Sequence, residues 1–341
     1  MRRFAVSILL MGTGLWNLHA QTPVNNGTIP TVSSPVVTTP APSSTLITTA
    51  PNVPILSEGQ AVQGSWGGSP VSERGFLQSD QDFANFIGPT SNPILTKDPR
   101  SLTEARFLFL QNWIPNSNPV GGDFQVYALQ LRLALTERLQ IFADKDGIMA
   151  LNPAGAPGQV GLLDLAFGAK YALVRDVENQ FLVTAGVMYE VPTGYANVFQ
   201  NHGSGLLTVF GVAGKEIENF HLIANAGYQF GTLSRANSDF FYAQLHLDRQ
   251  FLGWLYPLVE CNWYGYTSGG DRGIPAAVGE GEGLVNLGTS DMAGRNLVTI
   301  AGGLKAKAGN WADIGLVYET PMSTEKFLLQ NRIIFEFILR Y

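Results

Sequence analysis

The residues that could do chemistry recur at alternate positions. In the final stretch, residues 330–341 (QNRIIFEFILRY), Arg332, Glu336 and Arg340 fall between Ile333, Phe335, Phe337, Leu339 and Tyr341. The same spacing sets Gln130 and Arg132 among leucines, and Asp164 and Lys170 on one parity of residues 161–174. Acids and bases arranged this way could do acid–base or nucleophilic work, or could line a polar passage. A barrel lipid hydrolase needs a His and a Ser on one face with a polar group to orient the ring. The four histidines are His19, His202, His221 and His246. His202-Gly203-Ser204 has no Asp, Glu or second His beside it, and His221 and His246 have the parity of the charged residues, with no Ser on a neighbouring outward position. Catalysis is therefore not expected. Glu280-Gly281-Glu282 with Asp271 could offer Ca²⁺ a weak site, but the reading preferred is a solvated acidic loop. No phosphate-binding glycine loop is present, and no cofactor is implied.

A period of two requires β-strands with one apolar and one polar face. Twelve candidates follow, roughly at residues 103–113, 122–135, 138–146, 161–174, 180–191, 205–216, 220–232, 239–249, 254–267, 295–306, 311–320 and 327–341. Short connections alternate with longer ones rich in Gly, Pro and Asn, the longest being residues 268–294. An apolar row about ten residues long suits a strand crossing a bilayer at a tilt. The reading is an all-β fold: an antiparallel transmembrane β-barrel of about 12 strands, with lipid outside and a polar lumen inside. An even count puts both chain ends on one side, the periplasm. Trp113, Trp254, Trp263, Trp311 and Tyr341 suit interfacial girdles.

Parity then assigns the lumen. It receives Gln130, Arg132, Asp164, Lys170 and Glu190 from the first half of the barrel. Asn225, Gln229, Gln244, His246, Glu260 and Asn262 follow, then Asp313, Glu319, Arg332, Glu336 and Arg340. Both signs are mixed, so pairing across a narrow bore is expected rather than a ring of one sign. Composition agrees: 14% of residues are charged, against about 25% in soluble domains. The net charge of −6 argues against nucleic acid, and the single Cys261 excludes an internal disulfide.

Residues 1–20 have the basic start, apolar middle and small-residue end of a secretory signal. Residues 21–72, rich in Thr, Pro, Ser and Val, read as a disordered periplasmic linker. Residues 73–101 differ. Ser79 or Asp80 could cap a short helix whose apolar face is Phe83, Phe86 and Ile87, ended by Gly88-Pro89. Such a helix must dock, and a polar lumen places it at the periplasmic rim, as a rim or plug segment ahead of a barrel over residues 102–341.

The runs GLLDLAFGAKYAL (residues 161–173), YEVPTG (189–194) and ANAGYQF (224–230), with LALTERLQIF (133–142), resemble outer-membrane transporters of the meta-pathway phenol-degradation family. The resemblance implies a barrel that moves small hydrophobic or aromatic compounds. It also implies outer-membrane lipid and a small-molecule solute as partners. The terminal strand (Phe335, Phe337, Leu339, Tyr341) resembles the assembly signal read by the barrel-assembly machinery. The alternatives are a structural barrel without transport and a lipid-modifying barrel enzyme.

Overall fold

The computed structural model describes residues 74–232 and 235–341; the expected signal and linker lie outside the described residues. Fourteen strand segments form one antiparallel sheet. They are β1 (Glu104–Trp113), β2 (Asp123–Ala134), β3 (Leu139–Ala143), β4 (Gly147–Asn152), β5 (Gln159–Leu162), β6 (Leu165–Asp176) and β7 (Phe181–Val191). Then come β8 (Leu206–Ile217), β9 (Phe220–Gly231), β10 (Asp239–Arg249), β11 (Leu255–Ser268), β12 (Asn296–Ala308), β13 (Ala312–Pro321) and β14 (Asn331–Arg340). The sheet closes on itself. Phe107 of β1 stands opposite Phe337 of β14 on one side and Leu129 of β2 on the other. Closure leaves no long free edge: every strand but the short β5 pairs with strands on both sides, and β5 meets Tyr195 of a loop on its second side.

The barrel has twelve staves, because two are interrupted. β3 pairs with the second half of β2 and β4 with the first half, so both belong to one stave. β5 and β6 share the next stave, pairing with β4 and β3. The expected third strand stopped at Asp146. It instead resumes as β4, because Ile148 and Met149 alternate outward and inward past the break. At the break Asp144 and Lys145 both point inward, each 1% exposed, which a period of two forbids in an unbroken strand. Leu163, expected on the lipid face, is likewise turned inward beside Asp164 at the second break. A bulge at Leu173 shifts the β6–β7 register and leaves Leu173 and Val174 both facing out.

Elsewhere the faces sort as the alternation requires. Tyr127, Leu129, Leu131 and Leu133 of β2 face outward, while Val126, Gln130 and Arg132 are buried inside. Ile333, Phe335, Phe337 and Leu339 of β14 face outward, with Arg332, Ile334, Glu336 and Ile338 inside. An apolar outer belt with Trp113, Trp254, Trp311 and Tyr341 exposed near strand ends is a surface for lipid. One end of the barrel carries the short turns, such as Thr136–Arg138 and Glu218–Asn219, and the other carries the long loops.

The expected helix before the barrel is absent. Among the described residues the helical structure is a single 3-10 turn, Ala196–Val198. Residues 74–101 are irregular, with turns at residues 82–85 and 93–95. Pro89, Pro93 and Pro99 bar a helix only after Gly88; before it, residues 82–85 make a turn and go no further. The lumen wall takes over the backbone bonding that a helix would have supplied internally.

Candidate functional site: the filled lumen

Residues 74–101 enter the barrel and do not stop at its rim. Phe83, Phe86 and Ile87 are fully buried, and so is nearly every residue from Thr90 to Ser101. The path can be followed by its partners. At the short-turn end Ser79 N–H donates to Tyr341 O at 2.7 Å, and Arg175 binds Asp80 at 2.8 Å. Deeper, Phe86 packs on the His221 ring with centroids 4.9 Å apart. At the tip, Asn92 Nδ2 donates to Tyr264 Oη at 2.6 Å. The chain then returns, with Lys97 N–H donating to Asn225 Oδ1 at 2.8 Å, and Leu102 N–H donating to Gln140 Oε1 at 2.9 Å where it turns into β1. This segment is a plug in the geometric sense.

The charged lumen positions hold that irregular backbone. Buried N–H and C=O groups must be paired, and here side chains pair them. Glu260 accepts from Thr90 N–H at 2.8 Å and Ser91 N–H at 2.6 Å. Lys305 donates to Gly88 O, Arg106 to Pro89 O, Gln130 to Pro93 O and Thr184 to Pro99 O, all within 3.1 Å. Lys170 donates to Asp98 O and, at 2.6 Å, to Arg100 O. Lys97 pairs with Asp144 at 2.8 Å. Burial lowers the Lys97 ammonium, and Asp144 partly offsets that. Burial alone would raise the Asp98 carboxyl, but the Arg100 guanidinium and the Lys170 ammonium outweigh it and hold the group well below the usual range.

All sixteen polar positions assigned by parity lie inside, with Arg340 half-buried at the mouth. Most are brought into ion pairs. Arg106 and Lys305 both bind Glu336; Arg132 and Arg340 both bind Glu104, at 2.6 and 3.0 Å; Arg340 also reaches Asp313 at 2.9 Å. Lys145, which the period of two could not place, pairs with Glu190 at 2.6 Å. Asp164 instead caps the neighbouring loop, accepting from Gly194 and Asn201 N–H at 2.7 and 3.0 Å. Gln229 bonds Thr208, and Gln244 bonds Ser91 of the plug.

His221, Asp248, His246 and Glu260 form a chain with contacts of 2.6, 2.9 and 2.7 Å. Both nitrogens of His246 face carboxylates, so neither is left to activate a hydroxyl. The arrangement is a lumen network that ends on the plug amides, and a nucleophilic site is not assembled around it.

The lumen wall is mixed rather than polar throughout, and Asn112, Glu190, Gln229, Glu319 and Arg332 are buried towards the long loops. Beside them stand apolar and aromatic side chains: Phe124, Val126, Met149, Met188, Phe240 and Leu297 are all buried inward. Tyr242, Tyr264 and Tyr266 join them, with the Phe240 and Tyr266 rings 5.1 Å apart. The polar lumen expected from the charge parity thus also carries an apolar, aromatic share of its wall. The signal was present in the alternate Phe240, Tyr242, Tyr264 and Tyr266, but an aromatic row reads the same whether it faces lipid or lumen.

The loop between β11 and β12 fills the long-loop half of the lumen. Val278, Leu284, Val285, Leu287 and Met292 are buried in it, and Glu280 and Glu282 are each 1% exposed. The expected solvated acidic loop is therefore wrong for Glu280 and Glu282, which are interior groups with specific partners, while Asp271 stays exposed. The two fillings leave little space. One interior cavity between plug and wall and one near Glu190 each measure about 10 Å³, room for about one water.

No known family description and no curated protein matches this chain. Among solved structures it is similar in fold to an outer membrane channel from Pseudomonas putida F1, with a TM-score of 0.51 at 13% identity over 75% of this chain and 100% of that one. The KdgM porin aligns with a TM-score of 0.44 at 9% identity, over 70% of this chain and 99% of that one. At 13% identity the first of these likenesses shows the fold alone, a barrel of outer-membrane type.

Proposed function

We propose that the protein is an outer-membrane conduit, closed at rest, that passes small solutes of hydrophobic or aromatic character. The observation that carries this reading is the apolar, aromatic share of the lumen wall towards the long loops. Lipid-facing residues already supply the apolar surface a barrel needs. An inward apolar wall serves instead to receive something apolar, and at rest the barrel's own loop occupies it. The plug is held by hydrogen bonds and ion pairs to side chains, a form of attachment that can be released without breaking the wall. The sequence resemblance to the phenol-degradation transporters and the apolar share of the wall support this solute class; the fold likeness to an outer membrane channel supports only the conduit.

In this reading the short turns and the plug entrance face the periplasm and the long loops face outward, as in other barrels of this type. Assembly proceeds through the β14 signal, Phe335 to Tyr341. A purely structural barrel is the second reading, and the tightness of the interior packing favours it. The two separate on one experiment. Deleting residues 74–98 should leave a folded, heat-modifiable barrel whose conductance in planar bilayers and uptake of small aromatic solutes into liposomes both rise. A folded deletion variant with neither change would leave the structural reading standing.

A further inference from the structure

The loop between β11 and β12 carries two buried carboxylates that are handled differently. Glu280 accepts from Ser238 Oγ and Leu287 N–H at 2.6 Å and from Thr289 N–H at 2.8 Å. It organises the loop and the rim beside it. Glu282 reaches the barrel wall instead. Its Oε2 lies 2.7 Å from Arg332 Nη2, while its Oε1 is buried with no partner. Arg332 is shared: it also lies 3.3 Å from Glu319 Oε2 and donates to Asn112 Oδ1 at 3.0 Å. One guanidinium thus stands between two buried carboxylates, leaving an uncompensated charge of −1 when both are ionised.

The groups facing Glu282 from other elements do not cancel that charge. β11 presents the neutral phenols Tyr264 and Tyr266, β1 presents Asn112, and the plug presents Asn92. Glu280, on the same loop, adds repulsion. Burial pushes the Glu282 carboxyl up to about 7 despite Arg332. The loop also touches the plug. Asn92 Nδ2 donates to Glu282 O at 3.0 Å. Gly283 (φ +86°) passes so close to Leu95 that an added Cβ would stand 2.7 Å from its Cδ1.

We propose that this loop is a pH-responsive lid: protonated Glu282 seats it in the long-loop half of the lumen, and ionised Glu282 releases it and loosens the plug tip at Asn92. The sign follows from linkage. A carboxyl raised from 4.5 to about 7 on seating favours the seated lid below pH 4.5, and that preference fades as pH rises through 7. The seated-to-open ratio falls on the order of 100-fold across that window. The inference rests on the conduit reading, so its test includes a readout that does not depend on conduction.

In the full chain with Cys261→Ser, Val285→Cys reports seating, because Val285 is 1% exposed when the lid is in place. The label is a maleimide. Because the thiolate is the reacting form, labelling is expressed relative to an Ala156→Cys reference on an exposed loop; relative labelling of the folded barrel should rise with pH between 5 and 8.5, and adding Glu282→Gln should leave it low and flat. Planar-bilayer conductance should follow the same two profiles. Labelling that is independent of pH, or unchanged in profile by Glu282→Gln, overturns the lid. Labelling that rises with pH while conductance stays absent upholds the lid and instead removes the conduit reading on which its physiological meaning depends.

Discussion

Replacing Glu260 with Ala removes the acceptor of two adjacent plug amides, Thr90 N–H at 2.8 Å and Ser91 N–H at 2.6 Å. Both residues are fully buried, so neither amide can turn to water. A buried donor left without a partner costs about 1–3 kcal/mol, so the docked plug loses about 2–6 kcal/mol. Even the lower figure lowers the ratio of docked to released plug about 30-fold, at 1.4 kcal/mol per factor of ten. The wall should survive, because β11 keeps its ladders to β10 and β12. Glu260→Gln keeps one carbonyl oxygen and should lose about half as much. The assay is paired: trypsin cleavage at Lys97 and Arg100, both buried in the docked plug, and open probability in planar bilayers. Both should increase in the order wild type, Gln, Ala, with heat-modifiable mobility unchanged. Glu260→Ala protein as trypsin-resistant and as closed as wild type would refute the claim that lumen side chains hold the plug.

Two further outcomes concern the wall. Leu131→Arg places a charge on the outward face of β2 and should cost roughly 2–4 kcal/mol at the bilayer midplane, read as a lower unfolding midpoint in denaturant; an unchanged midpoint would show the outward register of β2 to be wrong. Phe337→Asp, on a residue facing out beside Phe107 with ring centroids 6.2 Å apart, should reduce heat-modifiable protein in the outer-membrane fraction; normal amounts there would remove the special role of β14.

The staves and their faces were legible because a closed sheet with lipid on one side leaves a strict period of two. The alternation in β2 and β14 needed no knowledge of what filled the barrel. The contents were not legible for the same reason. Parity says that Gln130 points inward, which alone suggests that an arginine there would be harmless. In the folded chain Gln130 lies against Arg106 and Arg132 and donates to Pro93 O and Asp144 O, so Gln130→Arg would add a third cation to a closed network. The segment of residues 74–101 carried helix-like spacing at Phe83, Phe86 and Ile87; the Phe83 and Phe86 rings do meet, edge to face at 6.1 Å, but across a turn rather than a helix, and Phe86 goes on to pack against His221. Asp144 and Lys145 escaped because a break between β3 and β4 has no periodic signature. The aromatic share of the lumen wall escaped because inward and outward aromatics look alike until the strands are paired.

The central claim is that the plug leaves a path when it moves. Ser91 Oγ lies 3.0 Å from Asn262 Nδ2, so cysteines at these two positions, in a Cys261→Ser background, put one thiol on the plug and a facing one on the wall of β11 for oxidation to a disulfide. The measurement is uptake of a small aromatic solute into liposomes by this double-cysteine barrel, oxidised and then reduced in the same preparation. Little uptake is expected when oxidised, and uptake restored to the level of the Cys261→Ser protein on reduction. Equal uptake in the two states, with the disulfide shown to form, would contradict it.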